Sequence, residues 1–267
     1  MPETIIITDL DGTLLHPTTY TFEEAKPALQ LIRVQGVPLI LCSSKTRAEI
    51  EMYRKRLDNE HPFISENGGG IFIPEGYFPF PLEGERRSGY QVISLGMPYT
   101  DIRGHFTRLR DKLQIAATGF GDMTADEIAS LTGLSLDEAV LAKQRDYEEP
   151  FVFTGEPDER LLLAIEASGL SWTRGRLFHI MGNHHKGKAV DILRKFFERA
   201  RGPATLMGLG DSLNDLPFLL AVDRPVLIRK GDGSHDSGID IPGLYRTKGI
   251  GPLGWNEAVI SALKVRT

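Results

Sequence analysis

The sequence has one cysteine, Cys42, among its 267 residues. A single thiol excludes a disulfide within the chain and a zinc site built from several cysteines. The sequence also has no run of eighteen apolar residues and no basic segment followed by an apolar one, so we expect neither a membrane span nor a secretory leader. Together these absences predict a soluble, cytoplasmic protein with no membrane partner.

A surplus of basic residues is also missing. The formal net charge is −5 at pH 7 and the isoelectric point lies near 5.8, so the charge does not indicate a nucleic-acid partner. A small anionic ligand is still compatible with it, because a local site can oppose the net charge of a protein. With 41% hydrophobic and 25% charged residues, the chain has the composition of a folded protein. We expect a monomer or a weak dimer.

The order of predicted strands and helices divides the chain into three parts. Strand-like and helix-like segments alternate in residues 1–80 and again in residues 184–267, which predicts a doubly wound α/β core with a parallel sheet. Residues 81–183 follow a Pro- and Gly-rich segment, 74–89, that suits a linker. We therefore predict a two-segment core interrupted by an inserted α+β domain at 81–183, with Tyr90–Leu95 as the first strand of that domain.

Capping signals predict where several helices begin. Three hydroxyl residues are each followed by a glutamate three positions later, which is the spacing of a capping box. These pairs are Thr21 with Glu24, Thr124 with Glu127, and Ser135 with Glu138. The first pair predicts a helix from Thr21 to Gln35 that Gly36 would end.

Two aspartates directly follow the first predicted strand. The β-branched run from Thr4 to Thr8 leads into Asp9 and Asp11, and Gly12 comes next. The carboxyl ends of parallel strands form the edge at which α/β proteins bind ligands. Two carboxylates this close repel each other unless one is protonated or a cation joins them. An Asp-Gly turn is the simple alternative, but the rest of the chain favours a catalytic site.

Two further core strands also end in polar clusters. Ser43, Ser44 and Lys45 follow the second strand, and residues 210–215 follow a strand at 205–209. Parallel strands would bring all three clusters to one edge, where up to four carboxylates would converge. A like-charge pair 4 Å apart costs roughly 4 kcal/mol at an effective dielectric of about 20, so such a site needs a divalent cation. Oxygen ligands without Cys or His predict Mg²⁺ as the cofactor.

This combination of groups suits phosphoryl transfer. With Mg²⁺, carboxylates and a hydroxyl, a protein mainly positions the reacting groups and neutralises charge, and an aspartate can act as the nucleophile. The hydroxyl of Ser43 and backbone N–H groups at a helix start can hold phosphate oxygens. A lysine should complete the charge balance, and Lys186 and Lys188 are both candidates.

Four motifs in this order resemble those of haloacid dehalogenase (HAD) superfamily phosphatases that carry a large α/β cap of the Cof type, the IIB cap. The motifs are Asp9 to Leu14, Ser43, Lys186-Gly187, and Gly210 to Asp215. The resemblance implies a HAD-like core with an inserted cap domain, a substrate held between them, and a phosphomonoester hydrolase that works through an aspartyl-phosphate intermediate.

The same resemblance implies a role for each matching residue. Asp9 would be the nucleophile and a metal ligand. Asp11 would protonate the leaving oxygen, then activate water, and lend its backbone carbonyl to the metal. Phosphate would be bound by Ser43, Lys186 and Asn214, and the metal by Asp211 with support from Asp215 and Asn214.

Other segments resemble mannosyl-3-phosphoglycerate phosphatases in particular. They are Leu41–Thr46, Glu66–Gly70, and a stretch from Gly121 through Thr132 to Phe151. The resemblance implies release of mannosylglycerate, a compatible solute, from its phosphorylated precursor, with a glucosyl analogue or another sugar phosphate as the alternative substrate. The candidate substrate contacts are Ser44, Lys45, Thr46, Asn67, Gly68 and Arg145.

Several other features have structural interpretations. Residues 182–188 fit the spacing of a nucleotide-binding P-loop, but Ala189 stands where that motif needs Ser or Thr. His184 and His185 are expected in a loop near the cap hinge rather than in a metal site. His179 alternates with apolar neighbours, and we expect it to be structural.

Alternatives to the hydrolase remain open. One is a sugar-phosphate-binding module without turnover, and another is a phosphomutase on the same core. Arg145, Arg174 and Arg176 could each pair with the carboxylate of a phosphoglycerate or lie solvated on the surface. Glu66 could bind sugar hydroxyls or accept hydrogen bonds from backbone N–H groups.

Overall fold

The computed structural model of the protein describes residues 3–264. The strands are, in chain order, β1 (Glu3–Thr8), β2 (Leu39–Cys42), β3 (Phe63–Ser65), β4 (Gly70–Pro74), β5 (Glu85–Arg87), β6 (Tyr90–Ser94), β7 (Ala117–Gly119), β8 (Glu148–Phe153), β9 (Ser171–Arg174), β10 (Phe178–Met181), β11 (Ala204–Gly210), β12 (Arg224–Arg229) and β13 (Tyr245–Ile250). The α-helices are α1 (Lys26–Gln35), α2 (Arg47–Leu57), α3 (Tyr99–Leu113), α4 (Ala125–Thr132), α5 (Leu136–Ala142), α6 (Glu159–Ala167), α7 (Lys186–Arg201), α8 (Leu216–Leu219) and α9 (Gly251–Lys264).

The larger sheet has nine strands in the order β13-β12-β11-β1-β2-β3-β4-β6-β5. The six strands from β13 to β3 are parallel, whereas β4, β6 and β5 extend the sheet antiparallel. Chain order reverses between β11 and β2 around β1, and this switch point is where a doubly wound sheet binds its ligand. The predicted α/β class is confirmed.

Helices cover both faces of this sheet because its central strands are apolar on both sides. In β1, Ile6 packs with residues of α1, α2 and α9 on one face. Its neighbours Ile5 and Ile7 pack on the other face against α7 and α8. A core on each side fixes the sheet rigidly, so the loops at its carboxyl edge start from well-defined positions.

A four-stranded antiparallel sheet, in the order β7-β8-β10-β9, forms the centre of the inserted region. One face packs on α3 and α6 through residues such as Phe106, Phe151 and Ile165. Thr124 and Ser135 are the N-caps of helices α4 and α5, and both predicted capping boxes are present. The predicted inserted α+β domain therefore exists as a second layered unit with its own core.

The strand predicted as the start of the inserted domain lies instead in the large sheet. Strand β6 pairs with β4 from Gly70↔Ser94 to Pro74↔Tyr90, and β5 pairs with β6. The segment 74–89 is thus partly a hairpin of the core sheet, which its Pro- and Gly-rich composition did not indicate. The boundaries 81–183 stay a prediction, and this pairing favours a start of the inserted domain after Ser94.

The first helix also begins later than predicted. Glu23–Ala25 form a 3₁₀ turn, and α1 starts at Lys26 without a capping box from Thr21. Pro27 explains this start, because proline is tolerated in the first turn of a helix and not further inside. Gly36 ends the helix with φ of 63°, as predicted. Among residues 3–264, no helix is both long and apolar enough to cross a bilayer.

We expect a pH-dependent loss of stability that depends on His61. Its Nδ1 lies 2.8 Å from the hydroxyl of Tyr77, and burial, with help from Arg201 and Arg54, lowers its pKa to about 4. Unfolded histidine titrates near 6.5, so the unfolded chain binds more protons between these values and the free energy of unfolding falls as the pH drops. From pH 7 to 5 this one group should remove roughly 1–2 kcal/mol.

The variant His61→Asn keeps a hydrogen-bonding group in place of Nδ1 but does not titrate. Denaturant unfolding at pH 7, 6 and 5 should therefore show a shallower pH dependence in the variant than in the wild type. Parallel curves for the two proteins would contradict the assignment to His61.

Candidate active site

Three carboxylates meet at the carboxyl edge of the large sheet. Asp9 follows β1, and Asp211 and Asp215 follow the neighbouring strand β11. One carboxylate oxygen of each lies within 4.8 Å of those of the other two. Each residue reaches this place because parallel strands end at the same edge, as the sequence predicted. An all-oxygen group of this size can hold a divalent metal ion.

The surroundings of this carboxylate cluster favour a bound cation. Burial, opposed by Lys186 and reinforced by Asp215 and Asp11, raises the pKa of Asp9 to about 7. Burial and the charges of Asp215 and Asp9 also raise the pKa of Asp211 well above its ordinary value. The positive charge of Lys186 therefore does not balance the negative charge of these carboxylates, and a positive ion among them would reduce their repulsion.

Gly12 allows Asp211 to approach the first motif closely. A Cβ at Gly12 would lie 2.8 Å from Asp211 Oδ2, and the φ of Gly12 is +76°. Both the contact and the backbone conformation require glycine here. Asp215 fixes the other side of the cluster, since its Oδ2 accepts from the backbone N–H groups of Asp211 and Ser212 at 2.9 and 3.2 Å.

Lys186 is the lysine that reaches the carboxylates. Its Nζ lies 2.7 Å from Asp9 Oδ1 and 2.6 Å from Asp215 Oδ1, and its side chain is completely buried. Burial opposes its charge, but Asp215 and Asp9 outweigh this and raise its pKa. Lys188 is exposed one turn into the same helix, so the geometry favours Lys186 over Lys188.

The side chain of Asp11 lies next to the carboxylate cluster but turns to a different partner. Its Oδ2 is 3.0 Å from Lys45 Nζ, and Lys45 also contacts Glu49 at 3.4 Å. Asp11 Oδ1 is enclosed and has no hydrogen-bond partner among residues 3–264. The predicted metal-ligand set therefore comes together through Asp9, Asp211 and Asp215, while the carboxylate of Asp11 stands apart with one free oxygen.

The loop after β3 connects the core to the inserted domain. Glu66 is fully buried, and its carboxylate accepts from the backbone N–H groups of residues 146, 147 and 148 at 2.8–3.0 Å. This is the second of its two predicted roles. Gly68 packs so closely on α7 that a Cβ would lie 2.5 Å from the carbonyl oxygen of His185. The two predicted substrate residues of this loop, Asn67 and Gly68, are buried and do not line the cavity of the site.

A chain of hydrogen bonds crosses from this loop to both sides of the site. Asn67 donates to Glu148 Oε2 at 2.8 Å and accepts from Asn214 Nδ2 at 3.2 Å. Asn214 in turn accepts from Ser212, the neighbour of Asp211, at 2.8 Å. Asn67 therefore positions other groups of the site, and this chain holds the inserted domain in register with the carboxylate cluster.

Arg145 is buried where the two domains meet. Its Nη1 donates to the carbonyl oxygen of Ser44 at 2.8 Å and to Glu148 Oε1 at 3.1 Å. Thr46 makes a similar connection, because its hydroxyl donates to the carbonyl oxygen of Leu141 at 3.0 Å and it also caps α2. Arg145 lines the cavity, as predicted for a substrate contact, whereas Thr46 does not.

A cavity of about 580 Å³ lies between the carboxylates and the inserted domain. Its core side includes Asp9, Asp11, Asp211, Asn214, Ser44 and Lys45, all of which were predicted site residues. The inserted domain contributes several cations and rings, among them Arg145, Arg174, Arg176, His179 and Phe120. This size suits a small metabolite.

Sequence reasoning missed several residues that line the cavity. Tyr20, Glu49, Lys230 and Asp236 come from loops and a helix with no recognisable motif. Lys230 pairs with Asp236 at 2.7 Å, next to the carboxylates. A weak signal existed for Glu49, since it forms the capping box of α2 with Thr46. The loop residues gave none.

Other predicted residues lie beside the site rather than in the cavity. Ser43 is buried, and its Oγ accepts from the backbone N–H of Lys45 at 3.3 Å. Cys42 lies behind it in β2, where burial raises the pKa of the thiol and makes it unreactive. His184 contacts the carbonyl oxygen of Glu66 at 3.2 Å and His185 caps α7. Neither histidine belongs to a metal-binding group found in residues 3–264.

Comparisons with known proteins give a family match and several similar relatives. Residues 6–77 match the family described as haloacid dehalogenase-like hydrolase. The chain is 46% identical to the glucosyl-3-phosphoglycerate/mannosyl-3-phosphoglycerate phosphatase of Methanococcoides burtonii, over 97% of both chains. It is 43% identical to the protein of the same description from Persephonella marina, over 96% of this chain and 95% of that one.

A solved structure has the same fold. A phosphatase of the haloalkanoate (HAD) superfamily from Bacteroides thetaiotaomicron matches with a TM-score of 0.69, covering 99% of this chain and 96% of that one. The sequence identity is 17%, so this similarity concerns the arrangement of the core sheet and the inserted domain.

Proposed function

The chain belongs to the haloacid dehalogenase-like hydrolases and, within them, to the mannosyl-3-phosphoglycerate phosphatases, and from this membership we propose that it releases phosphate from mannosyl- and glucosyl-3-phosphoglycerate with the help of Mg²⁺. The observation that carries the proposal is the group of Asp9, Asp211 and Asp215, with Lys186 bound to two of them, at the floor of the cavity. The two relatives named above are described as phosphatases of both glycosyl substrates, which favours the pair over either one.

Asp9 is the proposed nucleophile. Lys186 holds Oδ1, and no described residue donates to Oδ2, so this oxygen can attack the phosphorus atom. As the bond from phosphorus to the glycerate oxygen breaks, the leaving oxygen takes a proton from Asp11. A water molecule then attacks the aspartyl-phosphate, Asp11 accepts a proton from that water, and phosphate leaves with Asp9 regenerated.

The residues of the carboxylate cluster fit a magnesium ion. Asp9 and Asp211 would hold it, with Asp215 fixing the loop that carries Asp211. When bound, the ion neutralises charge on the phosphoryl group and on the carboxylates. Lys186 contacts both Asp9 and Asp215, and Asn214, which lines the cavity beside Asp211, would contact the phosphate.

The cavity argues for a small substrate with several charges. Lys45, Arg174 and Arg176 line the space beyond the carboxylates. A glycosyl phosphoglycerate carries a carboxylate besides its phosphate, and a guanidinium is well suited to pair with it. Coverage of the carboxylates by the inserted domain favours a small phosphorylated metabolite over a phosphoprotein as the substrate.

A phosphate-release assay over a panel of substrates tests the proposal. We expect the highest kcat/KM with mannosyl- and glucosyl-3-phosphoglycerate, less with 3-phosphoglycerate and simple hexose phosphates, and loss of activity in EDTA that added Mg²⁺ restores. Circular dichroism in EDTA serves as the control for an intact fold. Full activity in EDTA would overturn the metal site, and binding of these compounds without release of phosphate would instead establish a binding module.

A further inference from the structure

His179 stands on the cavity side of the inserted domain's sheet. Its neighbours in β10, Phe178 and Ile180, pack in the core of that domain on the opposite face. Since side chains alternate along a strand, His179 faces the other way, and it lines the cavity. The sequence predicted a structural histidine through this same alternation. Alternation alone does not show whether the side of the sheet opposite the core faces a cavity.

The ring of His179 is held in one orientation by a buried partner. Its Nδ1 lies 3.0 Å from Oε1 of Glu148, which is completely enclosed. The carboxylate of Glu148 carries a depressed pKa despite its burial, with His179 and Arg145 among the causes, so it is an acceptor. An ionised carboxylate can only accept, so Nδ1 donates to Glu148 and Nε2 lies on the opposite edge of the ring.

Nε2 is available to a ligand. No hydrogen bond within residues 3–264 involves it, and it does not belong to the enclosed polar atoms of those residues that lack a partner. Because the Nδ1 edge of the ring is turned toward Glu148, the opposite edge is the one left for the cavity. The carboxylate of Glu148 already accepts hydrogen bonds from Arg145 and Asn67, so it would keep partners without His179.

The pair also has a fixed position relative to the carboxylate cluster. Asn67 connects Glu148 to Asn214, which lies in the loop that carries Asp211. A group bound at His179 would thus be held at a set distance from the reacting phosphorus atom. A site that recognises the part of the substrate beyond the phosphate requires groups held at fixed positions in this way.

We propose that Nε2 of His179 accepts a hydrogen bond from a hydroxyl of the glycosyl unit and so selects the glycosylated substrate. This inference rests on the proposed function. Of the groups in a glycosyl-3-phosphoglycerate, the phosphate and the carboxylate are acceptors when ionised, and the hydroxyls are the donors. The cavity cations serve the anionic groups, and the histidine serves the sugar.

Two substitutions separate this role from a structural one. In His179→Gln the side-chain amide can reach the position of Nε2, whereas in His179→Asn it reaches only the position of Nδ1 and the contact with Glu148. Each variant is assayed with mannosyl-3-phosphoglycerate and with 3-phosphoglycerate, which has the same anionic groups and no sugar. The measured quantity is the ratio of the two kcat/KM values.

We expect His179→Asn to lower this ratio about tenfold or more, through a higher KM for the glycosylated substrate, because one hydrogen bond to the sugar is lost. His179→Gln should retain the ratio within about threefold. His105→Asn, the same change on α3 outside this cavity, is the matched control and should leave both substrates unaffected.

Proportional losses on both substrates, or a ratio kept by His179→Asn and lost by His179→Gln, would overturn the proposal in favour of a structural pair with Glu148. Failure of the proposed function is a separate result, seen in the wild type as absence of phosphate release from glycosyl-3-phosphoglycerates. The same ratio is then measured between the best sugar phosphate of the panel and glycerol 3-phosphate, an ester without a sugar ring, and it is read in the same way.

Discussion

Replacing Asp9 by asparagine should reduce hydrolysis of every phosphate ester by roughly 10⁴-fold or more, because no other described residue offers a carboxylate oxygen at the same position to attack phosphorus. The loss should be as large for p-nitrophenyl phosphate as for a glycosyl-3-phosphoglycerate, since both react through the same oxygen. Phosphate release measures the rate, and rapid quenching with labelled substrate should detect phosphate bound to the wild type and none on the variant.

The fold should survive this change. Asp9 is buried beside Asp215 and Asp11, and its raised pKa means that its charge is poorly stabilised there. Lys186 keeps its contact with Asp215 at 2.6 Å, so the lysine does not become an unpaired buried charge. Asp126→Asn, on the exposed first turn of α4, is the control. An Asp9→Asn protein that retains more than a few per cent of activity and unfolds like the wild type would exclude Asp9 as the nucleophile.

The sequence was sufficient to predict the core of this protein because its strands are strongly apolar and end in motif residues. Strand β1 is buried along nearly its whole length, and the aspartates follow it without an intervening loop. In such a case the position of a side chain at the sheet edge follows from the strand alone. The family membership of the chain confirms the phosphatase that these motifs indicated.

The elements that were missed have weak local signals. Strand β7 has three residues, and β13 at the edge of the sheet reads Tyr245–Ile250 with a mostly polar sequence. The pairing of β6 with β4 joins segments about twenty residues apart, and neither segment specifies its partner in its own sequence. Long-range pairing of this kind is decided by the packing of the whole sheet rather than by local preference.

The same distinction applies to the site. Residues in motifs, such as Asp211 and Lys186, were predicted because their spacing is local. Tyr20 and Lys230 line the cavity because loops that are distant in the chain lie close together there, and a single sequence does not indicate which loops will do so. Ser43 and Asn67 were predicted as ligands of the substrate, and the structure places them behind the cavity wall, where they support the groups that line it.

Replacing Asp11 by asparagine should affect substrates according to their leaving groups. Hydrolysis of mannosyl-3-phosphoglycerate should fall by roughly 10²–10⁴-fold, the usual contribution of a positioned proton donor. Hydrolysis of p-nitrophenyl phosphate should fall much less in its first step, because p-nitrophenolate leaves without a proton. Asp11 lines the cavity next to Asp9, with its Oδ2 3.0 Å from Lys45 Nζ, so its carboxyl group lies beside the place where the leaving oxygen would be.

Pre-steady-state kinetics with substrate in excess separates the two steps in which Asp11 takes part. Formation of the aspartyl-phosphate from p-nitrophenyl phosphate should be nearly normal in Asp11→Asn, and its hydrolysis should be slow, because Asp11 also activates the water. A burst of p-nitrophenol followed by slow turnover is therefore the expected trace. If the first step slowed equally for both substrates, Asp11 would act by positioning Lys45 and Asp9 rather than by donating a proton. In that case Asp11→Glu, which retains an acid, would also slow the two substrates equally.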